Sequence, residues 1–215
     1  MKLYIGNKRY SSWSLRPWLV LKHFHLSFTE VLIPLDMPQT TAQITAISPT
    51  ARLPILVDDG LVIAESIAIC EYLAEKFPDK KLWPWHAKDR ALARAAAHEM
   101  HAGFGALREN CSMKTLERFP GFRASDAALK DIKRIDQLWR EALERSGGPF
   151  LFGDFSIADA MFAPVALRVQ TYELPLTGTS RSYSNGLLEL PAMKEWAIGA
   201  QEETHRARRY ETKPD

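Results

Sequence analysis

The chain has 215 residues, 46% apolar and 25% charged, a balance that excludes disorder as the main state and suits a folded protein. Basic residues exceed acidic ones by only 28 to 26, so charge does not point to a nucleic acid or an anionic membrane as partner. Two cysteines, Cys70 and Cys111, form no CxxC pair, zinc cluster or disulfide framework, which suits a reducing, cytoplasmic compartment.

Leu3-Tyr4-Ile5 reads as a short strand closed by Gly6-Asn7, and its apolar run is too short for a signal peptide. Leu15, Trp18 and Leu19 recur at helical spacing and predict a helix over residues 15–25. Pro17 lacks an amide hydrogen and belongs in a first turn, which places the helix start near Ser14. Residues 28–35 read as a second strand and 41–47 as a short helix. Ile55-Leu56-Val57 and Leu61-Val62-Ile63 flank Asp58-Asp59-Gly60, the pattern of a β-hairpin. Residues 66–77 carry a helical apolar stripe that Pro78 ends. The order is βαβαββα, a small mixed sheet with helices against it.

Beyond Trp85 the strand pattern disappears. Helices are expected over residues 89–110, 125–145, 156–172 and 191–203, with Ser146-Gly147-Gly148-Pro149 stopping the second and a polar loop over 178–186. The tail with Arg206, Arg208, Arg209 and Lys213 reads as a solvated end. The division falls near residue 82, into units of residues 1–80 and 87–215.

Three segments offer chemistry. Ser11 and Ser12 lie between the first strand and first helix, beside the positive end of a helix dipole, where a hydroxyl can donate to a nearby anion. They also fit as plain cap and turn serines. In Ser48-Pro49-Thr50-Ala51-Arg52-Leu53-Pro54, a proline enters a strand. A cis Leu53–Pro54 bond there would turn the Leu53 backbone toward an extended, peptide-like ligand. Glu65-Ser66 opens a helix: Ser66 offers a hydroxyl and an N–H to a carboxylate, and Glu65 a charge to an ammonium group. An ordinary helix cap is the alternative. His98 and His101 lack a third ligand at metal spacing, so no metal site is expected.

Taken in order, these three segments resemble the glutathione S-transferase family. Gly153-Asp154-Phe155-Ser156-Ile157-Ala158-Asp159 is similar to that family's G-x-x-[ST]-x-A-D segment, in which Ser156 and Asp159 would form a capping box. The resemblance covers nearly the whole chain. It implies a thioredoxin-like domain over residues 1–80 that binds glutathione. An all-helical domain over residues 87–215 would form the second-substrate pocket, and most such proteins are homodimers. By position, Leu53 would hold the cysteinyl part of glutathione with Pro54 cis, Ser66 the γ-glutamyl carboxylate and Glu65 its ammonium group. Arg52 would reach a glutathione carboxylate. Trp13, Met100, His101, Phe104 and Arg168 would line the second pocket.

Ser11-Ser12-Trp13-Ser14-Leu15-Arg16 is most similar to the zeta-class pattern S-S-C-S-W-R, which makes Ser11 the hydroxyl expected to stabilise the thiolate, with Ser12 the other candidate. A free thiol titrates near ~8.5, and lowering that by ~2 units requires about 2.7 kcal/mol, within reach of a charge-assisted hydrogen bond and a helix end. Trp13 replaces the zeta cysteine, and Thr171 stands where zeta members carry a substrate-binding arginine, with Arg168 one turn earlier. Both departures argue against maleylacetoacetate isomerase activity. The expected reaction is addition of glutathione to a small hydrophobic electrophile. Peroxide or disulfide reduction, and a non-catalytic interaction module, are the alternatives.

Overall fold

A computed structural model describes residues 1–211 of the chain. Its four short strands form one mixed sheet in the order β2-β1-β3-β4. β1 (Lys2–Ile5) runs parallel to β2 (Thr29–Leu32) and antiparallel to β3 (Ile55–Asp58), and β3 turns back into β4 (Leu61–Ala64). The hairpin turn uses Asp59 and Gly60, both at positive φ, the conformation that matches strand twist in a two-residue turn. Alternation sorts the strand side chains: Leu3, Ile5 and Leu56 join the main core, while Tyr4, Ile55 and Val57 pack with Ile44 in a smaller cluster.

With α1 (Ser12–His23), α2 (Thr40–Thr45) and α3 (Ser66–Lys76), this is the expected βαβαββα order of a thioredoxin-like fold. A helical part follows, made of α4 (Ala87–Ala102), α5 (Gly105–Asn110), α6 (Asp126–Ser146), α7 (Ile157–Tyr172), α8 (Gly178–Leu188), α9 (Pro191–Glu202) and α10 (Arg208–Glu211). α7 is apolar all round, and every one of its residues except Gln170 is buried, as expected of a central core helix. α1 and α4 both pack on α7, so it ties the sheet side to the helical side. Its start carries the capping box: Ser156 N–H donates to Asp159 Oδ2 at 2.9 Å, and Leu151 N–H and the Tyr183 hydroxyl donate to Oδ1 at 3.0 and 2.8 Å.

Several expectations need correction. Ser11 caps α1, so the helix begins at Ser12 and Pro17 lies in its second turn, where it supplies no N–H to the carbonyl of Trp13. The second strand is shorter than residues 28–35. The helix expected over 89–110 is two helices. It breaks at Gly103, whose Cβ would meet Glu99 O at 2.8 Å, and at Phe104, which sits at φ +59°. The polar loop over 178–186 is helix α8, held by Tyr183 and Leu187 in the core. The tail is not simply solvated: His205 Nε2 bonds Leu35 O at 2.9 Å, Arg209 N–H donates to Asp36 at 3.0 Å and Tyr210 stacks on Tyr10. Arg208 and Arg209 remain exposed, and Lys213 lies outside the described residues. Among the described residues no helix is long and apolar enough to cross a membrane.

Candidate active site

The loop between β1 and α1 is fixed by its backbone groups. Asn7 O accepts the N–H groups of Tyr10 and Ser11, Thr115 Oγ1 and Trp196 Nε1 both donate to Lys8 O, and Glu203 accepts the N–H groups of Lys8 and Arg9. A loop held this way delivers Ser11 to the start of α1. Its Oγ accepts from Ser14 N–H at 3.3 Å and donates to Ser14 Oγ at 2.7 Å, and Ser14 Oγ accepts Gly6 N–H at 3.1 Å. Ser12 is buried in the first turn. Tyr10, the nearby phenol, donates to Glu211, and burial together with that carboxylate pushes its pKa up to about 12.

A cavity of about 590 Å³ opens beside this loop, lined by Trp13, Thr50, Arg52, Leu53, Ala64, Glu65 and His101. Five of the residues singled out from sequence thus face one space. The Leu53–Pro54 peptide is cis, as the resemblance implies, and Pro54 itself is buried at the strand start. Glu65 sits at φ +94°, ψ 129° and caps α3: its carboxylate accepts Ile67 N–H and the Ser66 hydroxyl, each at 3.1 Å. Ser66 is fully covered, while the Glu65 side chain stays 43% exposed and meets His101 Nε2 at 3.6 Å. His101 turns its edge to the Trp13 ring, and burial lowers its pKa while Glu65 opposes the shift.

Ser11 and Ser12 stand next to this cavity in sequence through Trp13 but are not among the residues that line it, and Met100, Phe104 and Arg168 do not reach it. Met100 and Phe104 are core residues, the second drawn inward by the helix break. Arg168 is buried, and its guanidinium donates to Cys111 O at 2.8 Å and Pro164 O at 3.1 Å, so the turn before Thr171 offers no free cation to a substrate. Thr171 likewise donates to Lys114 O at 2.8 Å. Neither thiol faces the cavity: Cys70 is core, and burial pushes the Cys111 pKa up to about 11. A larger groove of about 830 Å³, lined by Arg140, Phe150 and Tyr183, holds none of the candidate residues. Among the described residues no three metal-binding side chains cluster.

Sequence reasoning passed over Arg16. It is fully buried, its Nε donates to Met161 O at 3.2 Å, and its Cζ lies 4.2 Å from the centre of the Trp13 ring. Its signals were its place as the last residue of the segment matched to S-S-C-S-W-R and its lone charge inside the apolar run from Leu15 to Leu21.

Comparison with known proteins gives these features a family. Residues 10–76 match the model of the glutathione S-transferase N-terminal domain, and residues 95–197 that of the C-terminal domain. A probable maleylacetoacetate isomerase of Caenorhabditis elegans is 29% identical, covering 84% of this chain and 85% of its own. Glutathione S-transferase 1 of Dianthus caryophyllus is 30% identical, covering 76% and 75%. Among solved structures, a Burkholderia glutathione transferase homolog with bound glutathione superposes with a TM-score of 0.70 at 25% identity, over 94% of this chain and 97% of that one. A bacterial zeta-class maleyl pyruvate isomerase shares the fold at a TM-score of 0.72 and 24% identity, over 95% and 100%. Two family models in order and relatives alike along most of their length leave one assignment: the chain belongs to the glutathione S-transferase family, enzymes that take glutathione as co-substrate.

Proposed function

We propose that the chain ionises the thiol of glutathione with a serine hydroxyl and adds the sulfur to a small hydrophobic electrophile. One observation carries this reading: Ser11 caps α1 two positions before Trp13, and Trp13 shares a cavity with Arg52, Leu53 and Glu65. In this reading the cysteinyl backbone of glutathione runs along Leu53, and its γ-glutamyl end lies at Glu65 and the start of α3. Ser66, being covered, contributes its backbone N–H at that helix end. Arg52 is exposed at the rim and takes the outer carboxylate.

The hydroxyl pair supports a donor role. When Ser11 turns its proton to a sulfur anion, Ser14 can donate in its place to Ser11 Oγ, and a chained donor is the stronger one. Tyr10 is already committed to Glu211, which leaves the serines as the donors beside the loop. Both cysteines are buried, so the reacting sulfur comes from the co-substrate.

The relatives named as isomerases raise the isomerase reading, and the engagement of Arg168 and Thr171 with backbone carbonyls weighs against carrying it over. Residues 1–80 and 87–215 act as the two functional units, the first binding glutathione and the second closing the cavity with His101. A second copy of the chain is the proposed partner, seated on the groove of about 400 Å³ lined by Leu92, Ala95, Leu138 and Phe152.

The test is titration of the bound thiol by ultraviolet absorbance in wild type, Ser11→Ala and Ser12→Ala. Replacing the donor raises the thiol pKa by about 1–2 units. A value unchanged in both variants removes the serines from the mechanism.

A further inference from the structure

Arg16 is a guanidinium where burial is least tolerable. No part of it reaches solvent, and its Nη1 and Nη2 have no hydrogen-bond partner. Among the described residues no carboxylate lies within ion-pair distance of it, nor of Arg108 or Arg168, the two cations that act on it most strongly. An unpaired buried charge is strongly unfavourable, and a hydrophobic residue of similar size would serve the packing better. The charge therefore calls for a role outside packing.

Its placement supplies one. Arg16 sits one turn into α1, so its charge adds to the positive end of the helix that Ser11 caps. The Trp13 ring joins it to the cavity: its centre lies 4.2 Å from the guanidinium, and Trp13 lines the cavity. Two groups of the cavity wall, Glu65 and His101, feel the charge. A charge fully covered by protein is screened less than one at the surface.

We propose that Arg16 is a positioning residue for the reaction, a buried cation with no carboxylate partner, stacked on Trp13, whose field favours the thiolate of glutathione over the thiol. The proton goes to bulk water, and Arg16 neither takes nor returns it. This rests on the reading that glutathione occupies the cavity.

Arg16→Gln keeps a donor for Met161 O and removes the charge. The bound thiol then titrates about one pH unit higher, roughly tenfold less thiolate in the neutral range. The KM for glutathione changes little, and kcat at neutral pH falls but recovers as pH rises past the new value. A merely structural role would lower kcat at every pH. Arg16→Lys keeps the charge and titrates near wild type. Cys70→Asp puts a carboxylate at a buried position whose charge acts on Arg16, without removing the arginine, and raises the thiol pKa as Arg16→Gln does. A wild-type thiol pKa in either Arg16→Gln or Cys70→Asp, with glutathione bound, overturns the proposal. Should Arg16→Gln fail to fold, Cys70→Asp and Arg16→Lys decide. A lysine variant whose bound thiol titrates as high as the glutamine variant is expected to overturns the proposal equally. Serine variants that leave the pKa unchanged beside an Arg16→Gln that raises it would refute the serine mechanism and keep this proposal. Wild-type protein that binds no glutathione refutes both.

Discussion

At the scale of single residues, the site concentrates its unusual physics in α1, where a capping serine and a buried arginine stand five positions apart with Trp13 between them. Burial lowers the Arg16 pKa to about 9, with the charges of Arg168 and Arg108 adding to the effect. The folded chain then holds this proton less firmly than the unfolded chain does, so the group's penalty shrinks as pH rises past about 9. Arg16→Met is expected to stabilise the protein by about 1–3 kcal/mol at neutral pH, with the gain narrowing above the lowered pKa. Melting temperatures of both proteins across that range check the sign, and a gain that grows with pH contradicts it. The serines of this region were legible from the helix start and the family pattern. Arg16 was not, because sequence shows a charge but not the absence of a partner.

Among elements, α7 depends on a network that the sequence announced. Asp159 accepts from Ser156, Leu151 and Tyr183, so Asp159→Ala leaves several buried donors unpaired. The expected loss is about 3 kcal/mol, read as a lower denaturation midpoint with an unchanged slope. Asp58 ties β3 to α3: hydrogen bonds from Lys76, then from Tyr72, hold its carboxyl below the ordinary value of 3.8. Its stabilisation is complete above that value and is lost as pH falls through the still lower folded one. Asp58→Asn therefore destabilises the chain at pH 7, and the difference from wild type fades in acid; a difference that persists in acid contradicts the assignment. The capping box and the Asp-Asp-Gly hairpin were readable because local chemistry dictates them. α8 was not, because its two glycines and its serines disfavour a helix that tertiary contacts hold in place, among them buried Tyr183 and Leu187 and the Thr177–Asp136 bonds. The break at Gly103-Phe104 was hidden by an apolar pattern that continues through it.

Over the whole molecule, the sheet side supplies Arg52, Leu53 and Glu65, the helical side supplies His101, and α1 packed on α7 fixes the two together. The change from strands with helices to helices alone was visible as a change of period, whereas the cavity was not, since it joins positions far apart in the chain. The proposed second copy would cover Leu92, Leu138 and Phe152, and Leu92→Glu is expected to shift the chain to a monomer by light scattering. A wild-type chain that is monomeric at micromolar concentration contradicts that partner. The proposed function turns on one event, loss of the proton from a borrowed thiol. Ultraviolet titration of glutathione bound to the wild-type chain measures it directly. The expected result is a thiol pKa about 2 units below the free value of ~8.5. Bound glutathione that titrates at the free value would contradict it.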